Sequence, residues 1–271
     1  MRFGCCGSMI SPSTDPIGVE IIERLAEIGF DYIELSLRDM MSQSQPVFSS
    51  LIRRVENSGI RCEACNNFFP SEIRLTGNEA SPAAALAYAR EALERAARLG
   101  VRIIVFGSSG ARNVPAGFPH EAAFKQLVEL LQSLGPLAEQ HGIVIAIEPL
   151  NSLESNIINL ASSGLKLAQE VHHPRVKLLI DYYHLVMEKE GSEIILLADS
   201  AIGHVHFARA EGRVFPKEKD RDSALFFSRL RQARYSERCS IEAYTDDFEA
   251  DAGRALRFLR ELAERSSAWP N

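Results

Sequence analysis

The chain has 271 residues, 46% of them hydrophobic, and a formal net charge of −6. This is enough apolar material for one large core, and single α/β barrels commonly reach this length. The acidic balance argues against a nucleic-acid partner, which would require a basic surface. No segment has the roughly 18 uninterrupted apolar residues of a membrane span, so we predict no membrane partner.

Five cysteines, an odd number, are spread along the chain. Cys62 and Cys65 have CxxC spacing, but no second cysteine pair or nearby histidine completes a zinc site, so we expect this pair to be structural or incidental. Reduced thiols are typical of the cytoplasm. The first residues, MRFGCCGSMISP, lack the basic region and long apolar stretch of a signal peptide. We therefore expect a cytoplasmic protein.

Short apolar runs alternate with longer amphipathic stretches from one end of the chain to the other. The runs predicted as strands are 2–7, 32–37, 61–66, 101–107, 143–148, 176–181, 203–208 and 239–244. The stretches predicted as helices include 16–28, 82–99, 122–140, 155–171 and 248–264. Proline is typical of the first helical turn, and such starts are predicted at Pro16, Pro46 and Pro82. Glycine is typical of helix ends, which are predicted at Gly29, Gly59, Gly100 and Gly142.

Eight strands that alternate with eight helices indicate parallel βα units. Such units form either a closed barrel or an open doubly wound sheet. A doubly wound dinucleotide-binding fold would show GxGxxG after its first strand, and GCCGSM at residues 4–9 does not match this motif. We therefore predict the α/β class, as a (β/α)8 TIM barrel in which residues 1–271 form a single domain.

Four apolar runs in the second half of the chain each lead into a residue that can bind a metal. IVIAIE ends at Glu148, VKLLID ends at Asp181, IGHVHF contains His206, and CSIEAY contains Glu242. Because the active site of a TIM barrel lies at the C-terminal ends of its strands, these side chains should share one half of the rim. An oxygen-rich set with one imidazole suits a single divalent ion, namely manganese, magnesium or cobalt, with zinc as an alternative.

Each of these residues has an ordinary explanation when taken alone. A lone carboxylate after a strand often caps a helix or pairs with arginine, and a lone histidine on a strand is often part of the core. His204 and His206 are two apart and so face the same side of their strand. His206 is nearer the C-terminal end and is the predicted ligand, whereas His204 is predicted to be structural or to support it. The four strand ends together favour a site.

His184 follows Asp181 by three residues in the sequence DYYH. A neutral imidazole at this position could turn over the site and donate a hydrogen bond to a substrate oxygen. The alternative is a surface histidine at the start of a helix. The sequence alone leaves both explanations open.

Four motifs occur in order at the four strand ends: EPLN at 148–151, LIDYYH at 179–184, GHVHFA at 203–208 and SIEAY at 240–244. Together they resemble the xylose isomerase-like TIM-barrel superfamily, and in particular its sugar isomerase/epimerase branch. This branch includes enzymes of the D-tagatose 3-epimerase and D-psicose epimerase type, hydroxypyruvate isomerase, and the inosose dehydratases and isomerases. The motifs are specific for the superfamily rather than for one activity.

The resemblance implies that Glu148, Asp181, His206 and Glu242 hold one divalent ion, and that Glu148 and Glu242 also act as acid and base. It further implies an isomerase or epimerase that acts on a ketose or related polyol ketone through an enediolate. The expected partner is a small sugar or polyol, and family members suggest a homo-oligomer. Trp269, the single tryptophan, is expected on the outside or at an oligomer contact.

The resemblance also implies substrate contacts, and here the chain departs from its relatives. His184 would hydrogen-bond a reacting oxygen, Glu154 would have a supporting role, and Arg213 or its competitor Arg209 would contact the substrate. Ser152 replaces the arginine of the usual EPLNR, and the loop VFPKEKDRD at 214–222 lacks the glycines of a PGxG-like loop. These changes affect the expected sugar more than the expected metal site.

Three other functions are compatible with parts of this pattern. The same enediolate could expel a β-hydroxyl group, as in an inosose dehydratase-like lyase. An apurinic endonuclease-like metal hydrolase would need more histidines than the seven present and a more basic chain. A sugar-binding barrel without turnover would not need all four ligand-type residues.

Overall fold

The computed structural model of the protein describes residues 1–218 and 220–264. Eight parallel strands close a barrel in chain order, with the last strand paired to the first. The strands are β1 (Arg2–Cys6), β2 (Tyr32–Ser36), β3 (Arg61–Asn66), β4 (Ile103–Phe106), β5 (Val144–Ile147), β6 (Val176–Asp181), β7 (Ile202–Phe207) and β8 (Arg238–Ile241). This confirms the predicted single-domain TIM barrel. Trp269 lies outside the described residues.

The described residues contain eleven α-helices. They are α1 (Ile22–Ile28), α2 (Leu37–Met41), α3 (Gln45–Asn57), α4 (Pro82–Leu99), α5 (Ser109–Arg112), α6 (His120–Gln140), α7 (Ala161–Val171), α8 (Tyr182–Met187), α9 (Ile194–Ala198), α10 (Arg221–Gln232) and α11 (Phe248–Glu264). The predicted strict alternation with eight helices is therefore wrong in its helix count. Four of the eleven, α2, α5, α8 and α9, have only four to six residues, too few to show a helical repeat of apolar positions.

Two predicted helices begin later than their apolar spacing suggested. The helix predicted over 16–28 begins at Ile22, because the Asp15 carboxylate accepts hydrogen bonds from the backbone N–H groups of Gly18 and Glu20 and holds a turn there. Pro16 therefore does not start a helix. The helix predicted over 155–171 begins at Ala161. Residues 155–160 instead form a loop, in which the Asn159 side chain donates hydrogen bonds to the backbone carbonyls of Leu150 and Ser155.

The barrel interior contains an apolar layer. The buried residues of this layer are Tyr32, Ala64, Ile103, Val105, Ala146 and Leu179. A Cβ on Gly4 would lie 2.2 Å from the Tyr32 ring, so glycine is required for the ring to fill the barrel. The Tyr32 hydroxyl reaches Ser240 Oγ at 2.8 Å. That contact marks the change from an apolar to a polar interior.

All five cysteines are buried and none forms a disulfide. The Sγ atoms of Cys62 and Cys65 lie 4.0 Å apart on the buried strand β3, in agreement with a structural role for the CxxC pair. Among the residues that the structure describes, no helix is both long and apolar enough to cross a membrane.

Candidate metal and catalytic site

The four predicted metal ligands meet at one end of the barrel. Glu148 directly follows β5, Asp181 ends β6, His206 is the penultimate residue of β7, and Glu242 directly follows β8. One ligand atom from each lies within 4.8 Å of the others, and all four residues are buried. The structure thus brings together the set that the strand endings predicted, because parallel strands deliver their C-terminal ends to the same rim.

His206 has one ring nitrogen facing this group and the other facing the barrel interior. Its Nδ1 atom lies 3.0 Å from Glu148 Oε1 and 3.3 Å from Glu242 Oε2. Its Nε2 atom lies 3.0 Å from Glu34 Oε1. Burial alone would lower the pKa of His206, but the nearby carboxylates raise this pKa well above its usual value. Because Nε2 is taken up by Glu34, Nδ1 is the nitrogen that faces the carboxylates and could bind a cation in place of a proton.

The two glutamates of the site have different surroundings. Burial and the charge of Glu242 raise the pKa of Glu148. Burial would also raise the pKa of Glu242, but His206 and Arg213 outweigh it and hold this pKa far below its usual value. Arg213 Nη2 lies 2.5 Å from Glu242 Oε2, and Asn66 Nδ2 donates to Glu242 Oε1 at 3.3 Å. Glu242 is thus firmly paired, whereas no arginine of the described part of the chain forms an ion pair with Glu148.

Asp181 both contributes to the site and begins the short helix α8. Its Oδ1 atom accepts hydrogen bonds from the backbone N–H groups of Tyr183 and His184, at 2.7 and 3.4 Å. This is the usual contact of a helix N-cap and holds the carboxylate in place. Asp181 therefore both caps a helix, which is the ordinary explanation for a carboxylate after a strand, and belongs to the predicted metal-ligand group.

His184 is buried, with 2% of its surface exposed, so the alternative of a surface histidine is wrong. Its Nδ1 atom accepts a hydrogen bond from the backbone N–H of Asn151 at 3.1 Å. Because Nδ1 accepts, the N–H group of the ring is at Nε2, which makes no hydrogen bond and lies 3.7 Å from Asp181 Oδ2. A buried N–H donor without a partner is costly, and a substrate oxygen would satisfy it.

Arg213 and Glu154 lie beside the ligand group, whereas Arg209 does not. Arg213 Nη1 is 3.3 Å from Glu154 Oε1, and its guanidinium stacks 4.9 Å from the centre of the Tyr183 ring. Arg209 instead pairs with Asp220 at 3.4 Å. Of the two arginines left open by the sequence, Arg213 is the one at the site.

Glu34 is the main residue of the site that sequence reasoning missed. It is completely buried on β2 and contacts both His204 and His206. The indication was present, because YIELS places a charged residue inside an apolar strand. It was missed because Glu34 stands two residues before the end of β2, whereas Glu148, Asp181 and Glu242 stand where their strands end. His204 lies two residues before His206 on β7, contacts Glu34 at 3.0 Å and belongs to neither group of metal-ligand type among the described residues, in agreement with its predicted structural or supporting role.

Arg112 was also missed. It is 1% exposed, and its Nη1 atom donates to the carbonyl of Phe106 at 2.9 Å. Burial lowers the pKa of Arg112 to about 10, and the charge of Glu148 opposes this shift. An arginine in a short helix after a strand gives no periodic pattern by which a sequence could reveal its burial.

The donor set fits a divalent ion. Three buried carboxylates and one imidazole nitrogen lie within 4.8 Å of one another, and carboxylates this close repel one another unless a cation is present. Oxygen-rich donors with a single imidazole suit manganese, magnesium or cobalt.

A closed (β/α)8 barrel with its polar side chains gathered at the strand ends has the architecture of a TIM-barrel enzyme. The sequence model of the xylose isomerase-like TIM barrel family matches residues 22–262 of the chain. The chain belongs to this family.

Sequence relatives of the chain include sugar epimerases. It is 26% identical over 259 residues to an L-ribulose 3-epimerase of Methylomonas sp. (strain DH-1). The alignment covers 87% of this chain and 88% of that protein. It is also 26% identical over 198 residues to a D-psicose 3-epimerase of Agrobacterium fabrum (strain C58 / ATCC 33970). That alignment covers 71% of this chain and 68% of the epimerase. These relatives support an isomerase or epimerase as the enzyme class.

A solved structure shows the same fold. The crystal structure of a D-psicose 3-epimerase in the presence of D-fructose superposes with a TM-score of 0.85 and 21% identity, and covers 97% of this chain and 99% of that chain. At this identity the likeness establishes the barrel fold alone.

Proposed function

We propose that this chain is a divalent-metal-dependent isomerase or epimerase of a ketose or a related polyol ketone. The observation that supports this most strongly is the buried group of Glu148, Asp181, His206 and Glu242, with ligand atoms within 4.8 Å of one another. The epimerase names of its relatives agree with this reaction class. A homo-oligomer and a cytoplasmic location stay predictions from the sequence.

The same four residues would hold the ion. When bound, a divalent ion supplies Lewis-acid stabilisation of negative charge that develops on the carbonyl and neighbouring hydroxyl oxygens of a sugar. His206 Nδ1 and the carboxylate oxygens around it would provide its protein ligands.

The proton transfer is assigned to the two glutamates. A hydrogen on the carbon next to a carbonyl is only weakly acidic, so its removal needs a positioned base and leaves an enediolate. Glu148 and Glu242 both approach His206 Nδ1, at 3.0 and 3.3 Å, so both border the same small space. One removes the proton, and the other returns it to the opposite face or to a neighbouring carbon.

Three further residues would orient the sugar. His184 has its buried Nε2–H group free to donate to a reacting oxygen. Arg213 offers charged N–H groups between Glu242 and Glu154. Glu154 is partly exposed beside this arginine and can accept hydrogen bonds from sugar hydroxyls.

The alternatives are less well supported. An inosose dehydratase-like lyase would use the same enediolate, but the relatives reported above are named as epimerases. An endonuclease with several zinc ions would need more than one independent ligand group. Across residues 1–218 and 220–264, both groups of metal-ligand type contain His206.

Product analysis tests the proposal. The chain, loaded in turn with Mn²⁺, Mg²⁺ or Co²⁺, is incubated with a panel of ketoses and inososes, and the products are identified by NMR. We expect an epimer or an aldose–ketose isomer with unchanged mass, and no conversion after removal of the ion by a chelator. Loss of water from an inosose would indicate the lyase instead, and full activity in chelator would contradict the metal-dependent mechanism.

A further inference from the structure

Glu34 accepts hydrogen bonds from three side chains inside the barrel. His206 Nε2 lies 3.0 Å from Oε1, His204 Nε2 lies 3.0 Å from Oε2, and Ser240 Oγ lies 2.6 Å from Oε2. All four residues are completely buried. A carboxylate buried in this way is stable only because each of its oxygens has donors.

These contacts fix the proton positions on the two histidines. An ionised carboxylate only accepts hydrogen bonds, so each imidazole must present an Nε2–H group to Glu34. Ser240 is fixed as well, because it donates to Glu34 while the Tyr32 hydroxyl lies 2.8 Å from the same Oγ. With one proton of His206 held on Nε2 by Glu34, Nδ1 is the nitrogen that faces the carboxylates, and a cation bound there would take its lone pair in place of a proton.

We propose that Glu34 is a positioning residue that makes His206 bind the metal ion through Nδ1. This inference rests on the proposed function, since it concerns the same ion. The carboxylate holds the ring from the side opposite the ion, and it makes the imidazole a stronger donor by accepting its other N–H. Glu34 itself lies below the site and does not touch substrate.

The Glu34→Gln variant tests the role of the carboxylate. A carboxamide has one oxygen and an N–H₂ group, so it cannot accept from both imidazoles in the same arrangement. We expect its affinity for Mn²⁺, followed by the EPR signal of the free ion, to fall about 10- to 100-fold. The matched control is Ser240→Ala, which removes another donor to Glu34 but leaves the His206 contact, and its affinity should stay within about threefold of wild type.

The imidazole proton provides a spectroscopic readout. In ¹⁵N-histidine-labelled protein loaded with diamagnetic Mg²⁺, His206 should show a protonated Nε2 whose proton lies far downfield and exchanges slowly with water. This proton should move upfield or disappear in Glu34→Gln and persist in Ser240→Ala. If Glu34→Gln fails to fold, Glu34→Asp is the second variant. It keeps both oxygens on a shorter chain and should retain the Nε2 proton with a weakened Mn²⁺ affinity.

The outcomes separate this inference from the proposed function. If wild type binds Mn²⁺ and a folded Glu34→Gln binds it with unchanged affinity and an unchanged Nε2 proton, the role of Glu34 is overturned while the metal site stands. If Glu34→Asp alone is folded, an Mn²⁺ affinity equal to that of wild type together with loss of the Nε2 proton would overturn it in the same way. If wild type binds none of the tested divalent ions, the metal-dependent function itself is wrong.

Discussion

Two arginines on the segment after β7 differ in what they contact, and this determines their expected effect on catalysis. Arg213 pairs with Glu242 and Glu154, whereas Arg209 pairs with Asp220 away from the ligand group. We expect Arg213→Lys to lower kcat/KM about 10- to 100-fold, because one ammonium cannot replace both contacts and a hydrogen bond to a charged group contributes about 1.5–3 kcal/mol. Steady-state kinetics with the ketose that is converted fastest would measure this.

Arg209→Lys is the matched control, since it makes the same chemical change four residues away. Its kcat/KM should stay within about twofold of wild type, because its partly buried ion pair with Asp220 lies away from the ligand group. Equal losses in both variants would contradict the placement of Arg213 at the site.

The residues that could be predicted from the sequence are those that end an apolar run. Glu148, Asp181 and Glu242 stand where a strand leaves the core. A charged residue directly after an apolar run is costly to bury, so the sequence pattern indicates a function for it. Glu34 and Arg112 could not be assigned in this way, because their partners come from distant strands or short loops. Contacts between residues far apart in sequence leave no local periodic trace.

Gly107, the residue directly after strand β4, leaves space for the Glu148 carboxylate because it has no side chain. A Cβ added to Gly107 would lie 2.0 Å from Glu148 Oε2, although the Gly107 backbone is not among those with positive φ. In Gly107→Ala the flexible carboxylate should therefore move while the fold is kept. We expect turnover to fall about 100-fold, as for a catalytic group misplaced by about 1 Å, with a change in Tm of less than about 3 °C.

Gly110→Ala is the control from the same segment. Its Cβ would contact Ser71 at 3.1 Å rather than the ligand group, so turnover should be close to that of wild type. A Gly107→Ala variant that unfolds, or that keeps full turnover, would contradict the packing of Glu148 against β4.

Helix α11 is attached to the segments at the site end of the barrel by a buried aspartate. Asp251 accepts a hydrogen bond from Thr245 Oγ1 at 2.7 Å and pairs with Lys217 Nζ at 2.9 Å. We expect Asp251→Asn to lower the free energy of unfolding by about 1–3 kcal/mol at pH 7, measured by urea denaturation. Asp247→Asn, which keeps a helix-capping side chain, should cost less than about 0.5 kcal/mol.

The effect of Asp251 should depend on pH with a defined sign. Burial would raise the pKa of Asp251, but its hydrogen bonds to Lys217 and Thr245 lower it. A lowered pKa in the folded state gives a stabilisation that is present above the unfolded value of about 3.9 and is lost as pH falls further. The difference between wild type and Asp251→Asn should therefore shrink below about pH 4, and a difference that grows there would contradict this pairing.

The long elements were predictable, whereas the connections were not. Helix α4 begins and ends where its apolar spacing predicted, and α11 begins where predicted, because a repeat over many residues outweighs local exceptions. Helix α1 was predicted six residues too early, since the turn held by Asp15 overrides the apolar spacing before Ile22. Such side-chain contacts with the backbone decide boundaries without changing the periodic pattern.

At the scale of the whole molecule, the barrel interior changes in character along its axis. The layer around Tyr32 is apolar, the next contains Ser240, Glu34 and His204, and the last contains the metal-ligand group with His206. Each layer supports the one above it through hydrogen bonds. The sequence predicted the outer layer, but not the polar middle layer on which its orientation depends.

The buried cysteines should make the protein sensitive to alkaline pH. Burial raises the pKa of the Cys239 thiol far above its usual value, as it does for Cys5. A raised pKa in the folded state means that stability is lost as pH rises above the unfolded value of about 8.5, by about 1.4 kcal/mol per pH unit for each such thiol. In Cys239→Ala the decline of the unfolding free energy above pH 9 should be shallower by one such increment. Equal slopes would contradict the effect of burial.

The most direct test of the whole account is the exchange of carbon-bound hydrogen with solvent. Wild type loaded with Mn²⁺ should incorporate deuterium from D₂O next to the carbonyl of D-psicose or L-ribulose, the sugars for which its relatives are named. Folded Glu148→Gln and Glu242→Gln should each reduce this exchange by at least about 100-fold, since each removes a positioned acid or base. Exchange at the wild-type rate in both variants would contradict the assignment of these two glutamates.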